Sequence, residues 1–298
     1  MFVVKYRKLF YIISALIVIV SLAAISIWGL KPGIDFKGGS ILEVTYSTLP
    51  DQGVLETSVA KLNLDASIRQ TGDSGYIIRM RDINQDEKSS LDDILSSFGS
   101  TTQVRFDSVG PLLGVEAIKK SVASLVLVLV AIILFIAFAF RKVSQPVSSW
   151  KYGIIAIIAL VHDVIVPTGV FAVLGHFKGY EVDTLFVTAL LVILGFSIHD
   201  TIVVFDRVRE NLSHAKSNKP FEEIVGESIS QTITRSINTS FTTLLALIVL
   251  YFIGGESTQQ FSLALIIGIT AGTYSSVFLG SPLLVTIEKW QNRKGGKK

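Results

Sequence analysis

Asp200 sits inside Gly195-Phe196-Ser197-Ile198-His199-Asp200-Thr201-Ile202-Val203-Val204-Phe205-Asp206-Arg207, a stretch otherwise apolar enough to cross a membrane. A charge near the bilayer centre costs at least ~2.5–3.5 kcal/mol, so an acid there is read as functional. Counting back from Asp206 places it ~9 Å above the membrane boundary at 1.5 Å per residue. Arg235 lies a similarly short distance into the following apolar run, so the two groups can meet at one depth. A carboxylate held between desolvation and a guanidinium can load and release a proton as water access changes. Ser197, three residues before Asp200, shares its helical face and can hydrogen-bond a carboxylate or a water. One span earlier, Asp163 is either a protonated hydrogen-bonding group or a second proton site. Plainer readings stand beside these. Asp200 and Arg235 can form a static bridge, although a buried ion pair is a poor source of stability. Asp206, Arg207, Arg209 and Glu210 read as a solvated helix end. His162 and His199 read equally well as structural histidines, and a metal site built from both stands as a weak motif.

Positioning these groups requires membrane helices. Half of the 298 residues are hydrophobic and 17% are charged, the composition of an integral membrane protein. Six windows have the ~20 residues a bilayer core requires: 9–30, 121–140, 152–175, 184–205, 236–253 and 261–287. Basic residues gather on one side, as Lys5, Arg7 and Lys8; Arg141, Lys142 and Lys151; Arg207, Arg209, Lys216 and Lys219; and Lys289, Arg293, Lys294, Lys297 and Lys298. The short 176–183 loop carries only Lys178. That asymmetry predicts both termini in the cytoplasm and the long segment after span one outside. Ser21-Leu22-Ala23 resembles a cleavage site, but the apolar run continues through Trp28, so span one is expected to be an uncleaved anchor. With no cysteine, disulfides and thiolate chemistry are excluded. The net charge of +3 follows from topology and gives nucleic-acid binding no support.

The expected organisation is a cytoplasmic N-terminus and first span over 1–30 and an extracytoplasmic domain over 31–119. Five spans then fill 120–290, and a basic cytoplasmic tail occupies 291–298. Within the extracytoplasmic domain the spacing predicts strands over 40–46, 66–71, 76–81 and 102–108. A helix carrying Val54, Leu55, Val59 and Leu62 follows the first strand, and a second helix is capped by Asn84 and runs to Phe98. Gly72-Asp73-Ser74-Gly75 is a hairpin signal. The order β-α-β-β-α-β is ferredoxin-like. No nucleophile with a base, clustered histidines or phosphate loop occurs there, so its expected role is contact with a partner or client. Near span five, 221–230 reads as an amphipathic helix on the cytoplasmic surface. Small residues such as Ser236, Ser240, Gly268, Gly272, Ser275 and Ser276 allow close helix contact and side-chain hydrogen bonds.

Four motifs in order carry a family resemblance: Gly33-Ile34-Asp35-Phe36-Lys37-Gly38-Gly39, Val109-Gly110-Pro111, Gly195 to Asn211, and Ser230 to Ser240. Together they resemble the SecF family, the smaller membrane subunits of the bacterial SecD–SecF protein-export complex, over nearly the whole chain. The resemblance implies an RND-type transporter half: a polytopic α-helical membrane protein of six transmembrane helices with a small ferredoxin-like α+β domain after the first. It also implies a proton-driven auxiliary role in late export of preproteins, with no enzymatic activity, cofactor or metal. The implied partners are SecD, the SecYEG channel and, further out, YajC and YidC, in the bacterial cytoplasmic membrane. Asp200 takes the family's proton-carrying position and Arg235 its partner, with Ser197 and Asp163 in the relay. Gly33, Asp35, Gly38, Gly39, Asp206 and Arg207 are the family motif. His199 departs from the pattern, which leaves open whether it tunes Asp200. The rival readings are a stand-alone RND-type exporter of small molecules or lipids, a structural subunit with no proton role, and an intramembrane aspartyl protease. The last lacks the Tyr-Asp and Gly-x-Gly-Asp signatures.

Overall fold

A computed structural model of the chain describes residues 2–140, 147–215 and 219–295. Of the basic residues used to orient the chain, Arg141, Lys142, Lys216, Lys297 and Lys298 lie outside the described residues. The chain divides into a sheet unit, Pro32–Ala123 with Val182–Thr184, and a helical unit made of the remainder.

The sheet unit runs β1 (Gly39–Tyr46), α2 (Gln52–Ala60), β2 (Ser67–Thr71), β3 (Gly75–Met80), α3 (Gln85–Ser97) and β4 (Thr101–Val109), α1 being the membrane helix that precedes it (Arg7–Trp28). Its four strands lie in the order β2-β3-β1-β4, every neighbour antiparallel. That is the ferredoxin-like arrangement. Alternation sets the inward face of β1, where Leu42, Val44 and Tyr46 are buried and the intervening residues are half-exposed. Leu55 and Val59 of α2 and Leu91 and Leu95 of α3 close the core. Asp51 caps α2. Asn84 and Glu87 form a reciprocal capping box at the start of α3, satisfying two otherwise orphaned donors. A hydrogen bond from Arg81, and then one from the Asn84 backbone, hold the Glu87 carboxyl below its ordinary range. Thr71 pairs with Gly75 across a tight turn in which Gly72 takes φ +56°, a conformation glycine adopts without steric cost. The sequence pattern places Val104 and Phe106 on one alternating face of β4. In the structure β4 is an edge strand with Val104 56% exposed.

Six helices are long and apolar enough to cross a membrane. They are α1, α4 (Pro111–Ala139), α5 (Ser149–Lys178), α6 (Thr184–His214), α7 (Phe221–Ile253), and a composite sixth of α8 (Glu256–Ser275), a π-helical turn (Ser276–Gly280) and α9 (Ser281–Gly295). The surface helix expected over 221–230 is not a separate element. It forms the first turns of α7, which continues unbroken for 33 residues, about 50 Å. Its hydroxyls explain the continuity: Ser228, Ser230 and Thr232 bond carbonyls four residues back within the same helix, so their polarity does not interrupt it. Ile224, Val225 and Ile229 are buried in the helical unit rather than lying along a surface.

Helix α1 packs on α5 where Gly169 meets Ser21: a Cβ at Gly169 would stand 2.5 Å from the Ser21 Cα. Only a residue without a side chain permits that approach. At Gly268 an added Cβ would meet the Ile193 side chain of α6 at 2.1 Å, so α8 carries the corresponding notch. The near ends of α1, α7 and α9 are tied through Glu222, which pairs with Arg7 at 2.8 Å and with Lys289.

Candidate functional site

On α6 the residues Ser197, Asp200, Thr201, Val204 and Val208 are buried, the i, i+3, i+4 spacing of one helical face. That face holds two polar centres a turn apart.

The first is Asp200. It is 3% exposed, and its Oδ2 has no hydrogen-bond partner. Ser236 of α7, itself buried with an unpartnered Oγ, is among its polar neighbours, as are His199 and Arg235. No ion pair joins Asp200 to Arg235 among the described residues. Arg235 is exposed and lines a polar cavity of about 260 Å³ with Val203, Asp206, Arg207, Glu210, Gln231 and Thr232. Asp200 and Arg235 thus act on each other through space, and the cavity opens between α6 and α7 on the Arg235 side. A buried carboxylate lacking a direct counter-charge is costly, and it is therefore sensitive to one added proton. His199 is exposed.

The second centre is Asp163 on α5, fully buried. Its Oδ2 accepts from Ser197 Oγ at 2.5 Å and from Ser275 Oγ at 2.8 Å, and its Oδ1 bonds His162 Nδ1 at 2.9 Å. Ser197 therefore does bond a carboxylate, that of Asp163. Ser275 Oγ also lies 3.1 Å from the Gly272 carbonyl. Its single proton has two acceptors, so it can follow the charge on Asp163. Pro167, four residues on, has no N–H to offer the Asp163 carbonyl. Ser276 Oγ donates to the Ser197 carbonyl at 3.3 Å and shares a 2.9 Å bond with Thr201 Oγ1. The Ser276 hydroxyl of the π-turn thus binds the same face of α6. Gly272 makes room, since a Cβ there would lie 3.0 Å from Ser197 Cβ. Ser275 and Ser276, expected from sequence to allow close helix contact and side-chain hydrogen bonds, direct those hydroxyls onto Asp163 and onto the Ser197 carbonyl with Thr201, which makes them part of the site.

Asp206 and Arg207 lie at the exposed end of α6. Arg207 donates to Gln231 at 2.7 Å and to Glu210 at 2.6 Å, while Asn211 reaches Gln231 and Ser228 at 2.9 and 2.8 Å. Arg209 approaches Asp206 at 3.6 Å. The helix end is solvated, and it is also stitched to α7.

In the sheet unit, Gly33 precedes one helical turn, Ile34–Lys37. Gly38 follows at φ +80° and Gly39 at φ +132°. A Cβ on Gly38 would meet the Pro111 backbone at 2.9 Å, and one on Gly39 the Met80 carbonyl at 2.7 Å, so both need glycine for conformation and for space. Asp35 accepts from the Thr184 backbone N–H at 3.0 Å and from the Thr184 hydroxyl. Thr184 is the first residue of α6, so a motif carboxylate caps the helix that bears Asp200, where the helix dipole favours negative charge. Asp35→Ala is expected to lose about 1 kcal/mol of cap, read as a lower thermal midpoint. Asp35→Asn keeps an acceptor and should recover most of it. Equal midpoints for Asp35→Ala and the parent would refute the cap.

Known proteins match this arrangement. Residues 90–290 match the family described as protein export membrane protein SecD/SecF, C-terminal, and residues 24–48 match the SecD/SecF GG motif. The protein translocase subunit SecF of Thermobaculum terrenum is 44% identical over 98% of this chain and 94% of its own. The subunit of the same name from Synechocystis is 35% identical over 97% and 95%. The crystal structure of SecDF, a translocon-associated membrane protein from Thermus thermophilus, superimposes with a TM-score of 0.83 at 29% identity. That match covers 97% of this chain and 38% of the SecDF chain. The GG motif and the six spans agree with these matches: the chain belongs to the SecF family of protein translocase subunits, within the SecD/SecF protein-export membrane proteins.

Proposed function

We propose that this chain is the SecF-type half of a proton-driven motor that assists protein export across the bacterial cytoplasmic membrane. The observation that carries the reading is the buried Asp200 carboxylate with an unpartnered oxygen, set within a membrane helix. Protonation removes its charge and its attraction for Arg235, so α6 and α7 repack around Ser236. Each proton crossing ~100 mV supplies about 2.3 kcal/mol, enough to bias a two-state motion roughly fiftyfold. Asp163, Ser197, Ser275 and Ser276 extend the relay into α5 and the π-turn, and a π-turn is a frequent functional site within a helix. The six spans are one half of the kind of repeat such transporters use, and this chain spans 38% of the SecDF chain it resembles. Both points support SecD as obligate partner, with SecYEG, YajC, YidC and the exported preprotein as further contacts. The clustering of Lys and Arg supports cytoplasmic termini, an extracytoplasmic domain over 31–119, and the cavity beside Arg235 on the cytoplasmic side.

The test is isolation of the tagged chain from its native membrane, followed by secretion in inverted vesicles with and without an uncoupler. The expected result is a stoichiometric SecD-type partner and a chain-dependent secretion component that collapses with the gradient. A chain that purifies alone, and whose contribution to secretion is indifferent to the uncoupler, overturns the reading.

A further inference from the structure

His162 is a buried titratable group that the Asp200 mechanism leaves idle. It is 3% exposed, its Nδ1 is bonded to Asp163, and its Nε2 has no partner. Adjacent residues on a helix normally point apart, so their side-chain bond is a built arrangement. Asp163 Oδ2 accepts from two hydroxyls and Oδ1 lies 2.9 Å from His162 Nδ1; with the proton of that bond on Nδ1, both oxygens accept, the pattern that suits an ionised carboxylate. No lysine or arginine pairs with it among the described residues. A neutral imidazole would therefore leave one uncompensated charge inside the bilayer, which is expensive. A proton on Nε2 makes the pair neutral. The imidazole also stacks on Tyr274, ring centroids 6.2 Å apart at 28°, an aromatic face suited to a cation.

We infer that His162 and Asp163 together form a second proton-binding site, His162 taking the proton at Nε2 and Asp163 holding the ring through Nδ1. The ligand is a single proton: Nε2 gains it, the ring becomes an imidazolium, and no other bond changes. The ionisable groups that touch the imidazole are Asp163 on α5, through Nδ1, and Tyr274 on α8, through its ring; α6 presents Ser197 to Asp163, and α1 presents Ser14 and the Phe10 carbonyl to Tyr274. Tyr274 carries the state of the site outward. Its hydroxyl donates to the Phe10 carbonyl at 3.2 Å and accepts from Ser14 Oγ at 3.4 Å, both on α1. Loss of the imidazolium loosens the stack on Tyr274 and with it the seat of α1, the helix that precedes the sheet unit in the chain.

This inference rests on the proton-driven reading, and its test is separable from it. The chain has four histidines, so histidine-selective ¹⁵N labelling of the full chain with its partner, in lipid nanodiscs, gives a resolvable spectrum assigned by loss of one signal set in His162→Gln. The expected result is an Nε2 resonance that moves from the bare-nitrogen range to the protonated range as pH is lowered between about 8 and 5. Asp163→Asn should shift that titration, and Asp200→Asn should preserve it. An Nε2 signal that stays in one tautomer across that window, in both the parent and Asp200→Asn, overturns the second site. Secretion by Asp200→Asn is read independently: normal export there refutes the Asp200 reading while leaving the His162 titration standing.

Discussion

Asp200→Asn is expected to abolish gradient-driven secretion while leaving the chain folded and assembled. Asparagine keeps the shape of the side chain, so the packing of α6 against α7 is preserved. What it removes is a carboxylate that is buried, has one oxygen without a partner and makes no direct ion pair. Losing an uncompensated buried charge does not destabilise, so the thermal midpoint should be equal to or above that of the parent. The gradient term, by contrast, is lost whole: about 2.3 kcal/mol per proton at ~100 mV, roughly fiftyfold in the bias between two states. A static Asp200–Arg235 bridge predicts the reverse pattern, a less stable variant that assembles poorly. The exposure of Arg235 on the cavity wall argues against the bridge. Asp200→Asn with a midpoint well below the parent and normal secretion per assembled complex would restore it.

Gly169→Ala should carry the largest stability effect of any single-methyl change in the helical unit. The new Cβ would lie 2.4 Å from Ser21 Cβ and 2.5 Å from Ser21 Cα. A flexible side-chain tip can swing away, but a backbone atom moves only with its helix, so α1 must back off α5. Overpacking of this kind costs ~1–3 kcal/mol, and more where two backbones press together. Folded yield from the membrane and the thermal midpoint should both fall. Gly153→Ala on the same helix is the control, since nothing lies within 4 Å of its added Cβ. Ser21→Gly combined with Gly169→Ala relieves the clash with the serine side chain but not the one with the α1 backbone, so rescue should be partial. A Gly169→Ala protein as stable as Gly153→Ala would show that the α1–α5 seam has slack.

Residues close in sequence were the legible part. The hairpin at Gly72–Gly75 and the Asn84 cap depend on a few neighbouring side chains, and the six spans on local hydropathy. Helix α7 was harder, because hydropathy falls over its Ser- and Thr-rich first half while the backbone stays helical, with Ser228, Ser230 and Thr232 each bonding a carbonyl one turn back. Asp163 and Asp200 stood out by cost, since few acids survive in a span. Their partners did not. Whether Ser197 turns toward Asp163 or Asp200 depends on how α5, α6 and α8 are rotated about their axes. Ser275 looks the same in sequence whether it packs or donates. The His162–Asp163 bond contradicts the ordinary divergence of neighbours on a helix. Asp35 and Thr184 are 149 positions apart, and nothing local signals that one caps the helix begun by the other.

Proton movement itself is the most direct measurement. Purified chain with its SecD-type partner is reconstituted in liposomes loaded with a pH-sensitive dye, and an inward proton gradient is applied. The expected result is acidification of the lumen by the parent complex and leak-level flux by Asp200→Asn at equal protein incorporation. Equal flux from the two, or none above empty liposomes from the parent, would contradict a proton-carrying role for Asp200.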